Sequence, residues 1–305
     1  MITVLAHKSP DTDATGSPVI WAWYLNEIRK TPARAVLQGR PNTEAAWMLD
    51  RWGIDMPEIV TELGAGDQVV ICDTNNPAEL PEKINEAEIL EIIDHHMLAG
   101  GLKTRQPINI TIRPLACTAT IMHDLIGEDL ATAPEWVKGA MLTCILSDTL
   151  AFRSPTTTAH DKAVAENLAA GLGVEIDAYA AEMFAAKSDV SAFSDEELLR
   201  MDSKEFELDG KKLRVSVLET TAPQVLLDRK PALIAAMPGV AAADGADEVL
   251  LFVVDILKEE ATLLVPNDYV RQVAGASFGV KPEGDAVVLP GIMSRKKQII
   301  PALKL

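Results

Sequence analysis

Cysteine is scarce in this chain of 305 residues. There are three, Cys72, Cys117 and Cys144, far apart and set among apolar neighbours, with no CxxC pair. That pattern argues against a zinc site built on thiolates and fits reduced core thiols in a reducing compartment. Long apolar runs are also missing. None approaches the roughly 18–20 residues of a membrane span, and no basic region followed by an apolar run opens the chain, so no secretory signal is expected. Together these absences predict a cytoplasmic protein. Positive charge is in short supply: 28 Lys and Arg stand against 45 Asp and Glu, a net charge of −17. Broad binding to nucleic acid or to anionic membranes rests on basic surfaces and is not expected. A small anionic substrate remains compatible, because bound divalent ions and a few focused cations invert the local field. Repeats and low-complexity segments are absent too. The remaining composition, 48% hydrophobic and 24% charged, is that of one large globular domain or two smaller ones.

What the chain does have is a set of short apolar runs, each delivering Asp or His to its carboxyl end. Ile2 to Ala6 reads as a buried strand and runs into His7-Lys8-Ser9-Pro10-Asp11-Thr12-Asp13. Gln68 to Cys72 ends at Asp73-Thr74-Asn75-Asn76, and Glu88 to Ile93 ends at Asp94-His95-His96. In a parallel sheet such ends lie side by side, at the edge where open α/β sheets bind ligands. For the first stretch alone, the simpler alternative is that Asp11 or Asp13 caps a following helix. A mostly apolar helix, Pro134 to Leu150, carries Asp148 near its end. A carboxylate there needs a partner, and local capping is the competing account.

Between these runs the sequence predicts a helix over Ser17–Leu25, with Ser17 as N-cap and Pro18 at its first position. A strand is expected over Arg34–Gly39, a helix over Thr43–Trp52 stopped by Gly53, a strand over Ile108–Ile112, and a helix from Cys117 whose threonines supply caps. His123 and His160 read as surface residues on helices. Around Lys187–Ser191 the character becomes small and polar, which marks a linker. The boundaries follow: residues 1–187, a linker at 188–195, and 196–305. Beyond the linker, strands flank the turn Asp209-Gly210, a helix interrupted or split by Pro231 and Pro238 covers Pro223–Ala241, and Val249–Asp255 and Ala261–Val265 read as antiparallel strands. The last strand, Ala286–Leu289, leads into Ser294-Arg295-Lys296-Lys297. The whole is expected to be α/β, with a parallel-sheet domain flanked by helices and a smaller domain with a mixed sheet.

His7, Asp11, Asp13, Asp73, His95 and Asp148 form a set of two imidazoles and four carboxylates. That exceeds what one metal needs and suits two divalent ions sharing a bridging carboxylate. Such a pair can hold a hydroxide between the ions and clamp a phosphoryl group. Mixed oxygen and imidazole ligation fits Mn²⁺ or Co²⁺ better than Ca²⁺.

His7-x-x-x-Asp11-x-Asp13, Asp73, Asp94-His95-His96 and Asp148 resemble the four motifs of the DHH phosphoesterase superfamily. Ser294-Arg295-Lys296-Lys297 resembles the signature of its family II, manganese-dependent inorganic pyrophosphatases. The resemblance runs from the first strand to the last segment. It implies a two-domain hydrolase with its active site in the cleft between the domains, splitting pyrophosphate into two phosphates with a metal-bridged hydroxide. It implies two Mn²⁺ or Co²⁺ per subunit, with further Mg²⁺ or Mn²⁺ arriving with substrate, and a homodimer formed through the first domain. By position, His7 and Asp11 bind one ion, Asp13, His95 and Asp148 the other, and Asp73 bridges. Asp94 orients an imidazole, His96 faces substrate, and Lys204, Arg295 and Lys296 bind phosphate. One departure is visible: Thr74-Asn75-Asn76 stands where the family more often has His-Asn-Glu, which puts the surroundings of Asp73 in question rather than its ligation.

An exopolyphosphatase or another phosphoesterase of the superfamily is the nearest alternative. The nucleic-acid members carry a Gly-Gly-Gly-His type motif in the second domain, and this chain has only Gly100-Gly101, in the first and without the His. A non-catalytic metal-dependent scaffold is a third reading. It would not need both a complete ligand set and a cationic tail.

Overall fold

The structure, a computed structural model, describes residues 1–304, with the backbone but not the side chain of Lys296. The chain divides into two compact units, Met1–Ala186 and Lys187–Leu305.

The first unit is built on a six-stranded, all-parallel sheet of β1 (Ile2–Leu5), β2 (Ala33–Leu37), β3 (Glu58–Ile59), β4 (Gln68–Cys72), β5 (Glu88–Asp94) and β6 (Asn109–Ile112). Its strand order is β3-β2-β1-β4-β5-β6. The chain reverses its direction of travel across the sheet between β1 and β4, so a crevice opens at their carboxyl ends, the place where such sheets bind ligands. The central strands are apolar in unbroken runs because both faces are covered: Val69, Val70, Ile71 and Cys72 are all buried. The two-residue β3 carries no sequence signal of its own.

Six helices belong to this unit: α1 (Thr12–Glu27), α2 (Thr43–Arg51), α3 (Thr118–Ile126), α4 (Glu135–Asp148), α5 (Ala159–Leu172) and α6 (Ile176–Lys187). The first differs from the sequence expectation. It starts at Thr12, not at Ser17, because the Asp11 carboxylate accepts from the Ala14 N–H and caps it. The helix then runs through Pro18, losing the one backbone hydrogen bond that proline cannot donate. Its residues 12–25 are buried throughout, and it packs against α2, α3 and α4. Gly16 permits the approach to α4: a Cβ there would lie 2.4 Å from the Cys144 Sγ. All three cysteines are buried and free.

The second unit opens with α7 (Asp195–Met201), a helix the sequence reading left inside and beyond the linker. Its signal was present, since Ser194 and Glu197 form a reciprocal capping box. The strands β7 (Ser203–Leu208) and β8 (Lys211–Thr220) follow, joined through Asp209 and Gly210. Both turn residues have positive φ, 49° and 78°, as a two-residue hairpin of this twist requires. The expected proline-interrupted helix is two helices, α8 (Pro223–Leu227) and α9 (Lys230–Asp244). Pro231 lies in the first turn of α9, and Pro238 lies within it without ending it. Next come β9 (Glu248–Asp255), β10 (Glu260–Leu264), α10 (Asp268–Phe278) and β11 (Ala286–Pro290). The chain closes on a wide turn at Arg295–Ile299 and the short α11 (Ile300–Ala302). The sheet order is β11-β10-β9-β8-β7, with β8 and β9 parallel and the other pairs antiparallel. Alternation along β9 sorts its side chains: Leu250, Phe252 and Val254 join the cluster with α10, while Val249, Leu251 and Val253 join the one with α9. Among the described residues, no helix is long and apolar enough to cross a membrane.

Candidate metal centre

The carboxyl ends of β1, β4 and β5 carry the polar residues that the sequence marks. Asp73, directly after β4, adopts a left-handed backbone with φ 56°. That conformation costs a non-glycine residue about 1 kcal/mol or more, and Asp tolerates it better than most. Its N–H is held by the Ile93 carbonyl at 2.9 Å. The carboxylate is buried, and its two oxygens face different imidazoles. The His7 Nε2 lies 3.5 Å from Oδ2 and the His95 Nε2 lies 3.3 Å from Oδ1.

Each imidazole is oriented by its other nitrogen. The His7 Nδ1 lies 2.7 Å from the Lys8 carbonyl and the His95 Nδ1 3.1 Å from the Leu115 carbonyl. A carbonyl can only accept, so Nδ1 carries the proton and Nε2 of the neutral ring points its lone pair at a carboxylate. Two acceptors placed face to face call for a cation, and this arrangement around a histidine is typical of metal ligands. In a metal-free centre protons fill that need. Burial alone would lower the His7 pKa, yet hydrogen bonds to Asp11 and Asp73 outweigh it and raise it to about 11. Burial also opposes charge on His95, and Asp73 overrides it to bring the pKa to about 9. Burial would raise Asp73, but the hydrogen bonds from His7 and His95 pull it well below the usual carboxylate range.

Asp13 and Asp148 have ligand atoms close enough, together with the Cys117 Sγ, to hold one ion, whereas the ligand atom of His95 groups with those of Asp73 and His96, and that of His7 with those of Asp11 and Asp73. Asp13 accepts from the Ser17 hydroxyl at 2.7 Å and from the Thr118 N–H at 2.7 Å. The Thr118 hydroxyl, expected as a helix cap, instead donates to the Asp73 Oδ1 at 3.0 Å. Burial, then the neighbouring Asp73 charge, pushes the Asp13 pKa up to about 7, and Asp148 is raised well above the normal range by burial and by Asp13. The Asp148 Oδ2 is buried without a hydrogen-bond partner. After Asp148 the chain turns sharply: Leu150, Ala151 and Phe152 all have positive φ, and the Ala151 N–H reaches back to the Leu146 carbonyl at 2.8 Å. A buried orphan oxygen, crowded carboxylates and inward lone pairs fit divalent cations. Cys117, which the sequence reading placed in the core as an ordinary thiol, stands beside this group, and burial holds its thiol well above its usual pKa.

Asp94 does not join the inward set. Its Oδ1 accepts from the His95 and His96 N–H groups and lies 2.9 Å from the His96 Nδ1. Its Oδ2 accepts from the Asn75 Nδ2 at 2.6 Å. Asn75 also donates to the Met97 carbonyl and accepts from the Ala99 N–H, so it anchors the loop after His96. Thr74 donates to Glu79 at 2.8 Å. Within Thr74-Asn75-Asn76, then, Asn75 is the residue that supports Asp94, while Thr74 and Asn76 bond within their own turn. His96 itself is about half exposed, and the Asp94 hydrogen bond raises its pKa.

In the second unit Lys204 and Arg295 line one groove of about 410 Å³, with Asp202 and Glu219 in its wall. Arg295 donates to the Asp202 carbonyl at 2.6 Å and to its carboxylate at 2.7 Å. The side chain of Lys296 lies outside the described residues. Sequence reasoning missed Glu44, Asn75 as an anchor, Asp202, and the roles of Ser17 and Thr118. Ser17 was legible as the residue one helical turn after Asp13. The others depend on chain crossings that spacing does not reveal.

Comparison with known proteins agrees with this layout. The DHH family, N-terminal domain model matches residues 1–149, and the DHHA2 domain model matches residues 181–305. A Deinococcus radiodurans protein named "Probable manganese-dependent inorganic pyrophosphatase" is 40% identical, across 100% of this chain and 98% of its own. An Enterococcus faecalis protein of the same name is 35% identical, across 99% and 97%. A solved Methanococcus jannaschii structure, assigned to the family II inorganic pyrophosphatases, superposes with a TM-score of 0.63 at 31% identity, covering 99% of this chain and 98% of that one. The chain belongs to the DHH–DHHA2 family of manganese-dependent inorganic pyrophosphatases.

Proposed function

We propose that this protein hydrolyses inorganic pyrophosphate to two phosphates at a centre of two divalent ions, Mn²⁺ or Co²⁺. The observation that carries the reading is Asp73, whose two oxygens each face a different imidazole Nε2. One carboxylate so placed could serve two ions. His7 and Asp11 would hold one, and Asp13, His95 and Asp148 the other. When bound, the ions supply positive charge to the phosphoryl oxygens and acidify the attacking water. Further Mg²⁺ or Mn²⁺ arrives with the substrate.

The chain's own residues do the rest. Asp94 fixes the His96 Nδ1, so Nε2 is left to meet a phosphate oxygen, and the Asp94 hydrogen bond shifts the ring toward its charged form, in which Nε2 donates. Water adds to one phosphorus as the bridging P–O bond breaks, and the leaving phosphate gathers charge. Lys204, Arg295 and Lys296 meet that charge, Arg295 with a planar fork of donors. The protein acts as a cytoplasmic homodimer joined through its first unit, a setting that suits three buried free cysteines.

Phosphate release from pyrophosphate by metal-stripped protein resupplied with Mn²⁺ tests the reading. Rapid release that is lost on stripping and restored by Mn²⁺ is expected. No release, or release from long polyphosphate alone, overturns it.

A further inference from the structure

Glu44 is a fully buried carboxylate on the first turn of α2. Burying such a charge costs several kcal/mol unless partners compensate. Helix geometry offsets part of that, since the first turn favours an anion. The notable feature is what Glu44 holds. Its Oε1 accepts from the Thr12 hydroxyl at 2.6 Å and from the Ser147 hydroxyl. Thr12 stands between Asp11 and Asp13, and Ser147 immediately precedes Asp148. One oxygen thus ties together two segments that each carry ion ligands and lie 135 positions apart in the chain at Thr12 and Ser147 (147 − 12). The Cys144 thiol adds a parallel link to the Thr12 carbonyl at 3.3 Å. Elsewhere α1 and α4 pack directly, close enough at Gly16 that a Cβ there would lie 2.4 Å from the Cys144 Sγ. Packing fixes separation well, but it lets two helices slide or rotate slightly. A shared hydrogen-bond acceptor fixes their register.

We propose that Glu44 is a positioning residue of the metal centre, setting the Asp13 carboxylate against that of Asp148 through Thr12 and Ser147. The inference rests on the two-ion reading above. It makes α2, which supplies no ligand, a strut of the centre.

The test is calorimetric titration of metal-stripped protein with Mn²⁺, with circular dichroism to monitor the fold. The unsubstituted protein should take up two ions per subunit; uptake of fewer overturns both readings. Glu44→Leu puts an apolar side chain of similar bulk in place of the carboxylate and removes the acceptor. It should fold, because an apolar replacement of a buried charge is often tolerated. It should weaken the tighter-coupled Asp13–Asp148 ion by about 10–100-fold, the usual loss when an outer-layer partner goes. Glu44→Gln keeps a carbonyl oxygen in place and should stay within about fivefold of the original affinity, the difference between charged and neutral acceptors. Ser147→Ala removes one tether at a residue that is not a ligand. It keeps the question answerable if the Leu variant does not fold, and should cost roughly 3–10-fold. Unchanged Mn²⁺ binding in the Leu or Ala variants, or a Gln variant as weak as the Leu variant, overturns the role of Glu44 and leaves the two-ion reading standing.

Discussion

The two units prepare their charged side chains in opposite ways. In the first, Asp13 and Asp73 are 1% exposed, and each is held by neighbours before any ion arrives. In the second, Lys204 is exposed, and Arg295, whose own side chain is 15% exposed, pairs with an Asp202 side chain that is 56% exposed. The contrast matches residence time. A resident ion is held best where water is excluded and the donors cannot relax away, because low dielectric strengthens every charge interaction. A substrate that must enter and leave needs groups that solvent can reach and that exchange partners easily, as exposed ion pairs do.

The largest effect should come from the most enclosed residue. Asp73→Ala removes the oxygens facing both imidazoles, and a fall of about 10³-fold or more in kcat/KM is expected. The fold should survive, since Asp73 sits beyond the strand end. Circular dichroism and steady-state kinetics at saturating Mn²⁺ check both points. Near-normal turnover would erase the distinction between the units.

Arg295→Ala probes the other side. It should lower kcat/KM by roughly 10²–10³, the scale for losing one preorganised charge stabiliser, while Mn²⁺ titration stays unchanged. A parallel loss of Mn²⁺ affinity would show that the two sets of residues do not divide the work as proposed.

A pH series sharpens the comparison further, because the titrating groups with large shifts cluster in the first unit. Without metal, the folded-state pKa values of His7 and His95 stand at about 11 and about 9, above an unfolded value near 6.5. Their contribution to stability is fully present below that unfolded value and is lost as pH rises through the folded ones. Asp13, raised to about 7, acts in the same direction between roughly pH 4 and 7. Metal-free protein should therefore melt at progressively lower temperature from pH 6 to pH 10. Bound Mn²⁺ needs the imidazoles neutral and the carboxylates ionised, so the rise in Tm that Mn²⁺ gives should grow over the same range. Melting curves with and without Mn²⁺ would decide it; a Mn²⁺ increment that shrinks with pH would contradict the ligand set.

Much of this was legible because strands of a parallel sheet end together. The apolar runs before His7, Asp73 and Asp94 located three neighbouring strand ends, and the Asp209-Gly210 turn with the apolar runs beyond it located most of the second sheet. Legibility failed where a local signal competed with a better one. Ser17-Pro18 looks like a helix start, but Asp11, six residues earlier, captures the Ala14 N–H and frees Ser17 for Asp13. It failed again where the contact is made across the fold. Glu44 reads as an ordinary acid on a helix, and nothing in its spacing announces Thr12 and Ser147. The short α7 carries a local signal in its Ser194–Glu197 capping box, but it directly follows the small polar stretch that reads as a linker.

The smallest expected effect concerns the hold on Arg295. Asp202 offers it a carbonyl at 2.6 Å and a carboxylate at 2.7 Å, leaving the remaining guanidinium N–H groups for phosphate. If the second unit is built for exchange, this contact should orient Arg295 without binding it tightly. A pair with one solvent-exposed partner, as Asp202 is here, contributes about 1 kcal/mol, and freeing one long side chain costs about 0.5–1.5 kcal/mol when substrate must order it again. Asp202→Ala should therefore raise KM by about two- to tenfold and leave kcat within about twofold, because the charge itself stays. Asp202→Asn, which keeps an acceptor oxygen, should recover most of the loss. In an Arg295→Ala background the Asp202→Ala change should add nothing, since its only route to substrate is gone. A full, additive loss in that background would mean that Asp202 acts on substrate or its accompanying ion directly. The second unit would then be as firmly committed to charge placement as the first.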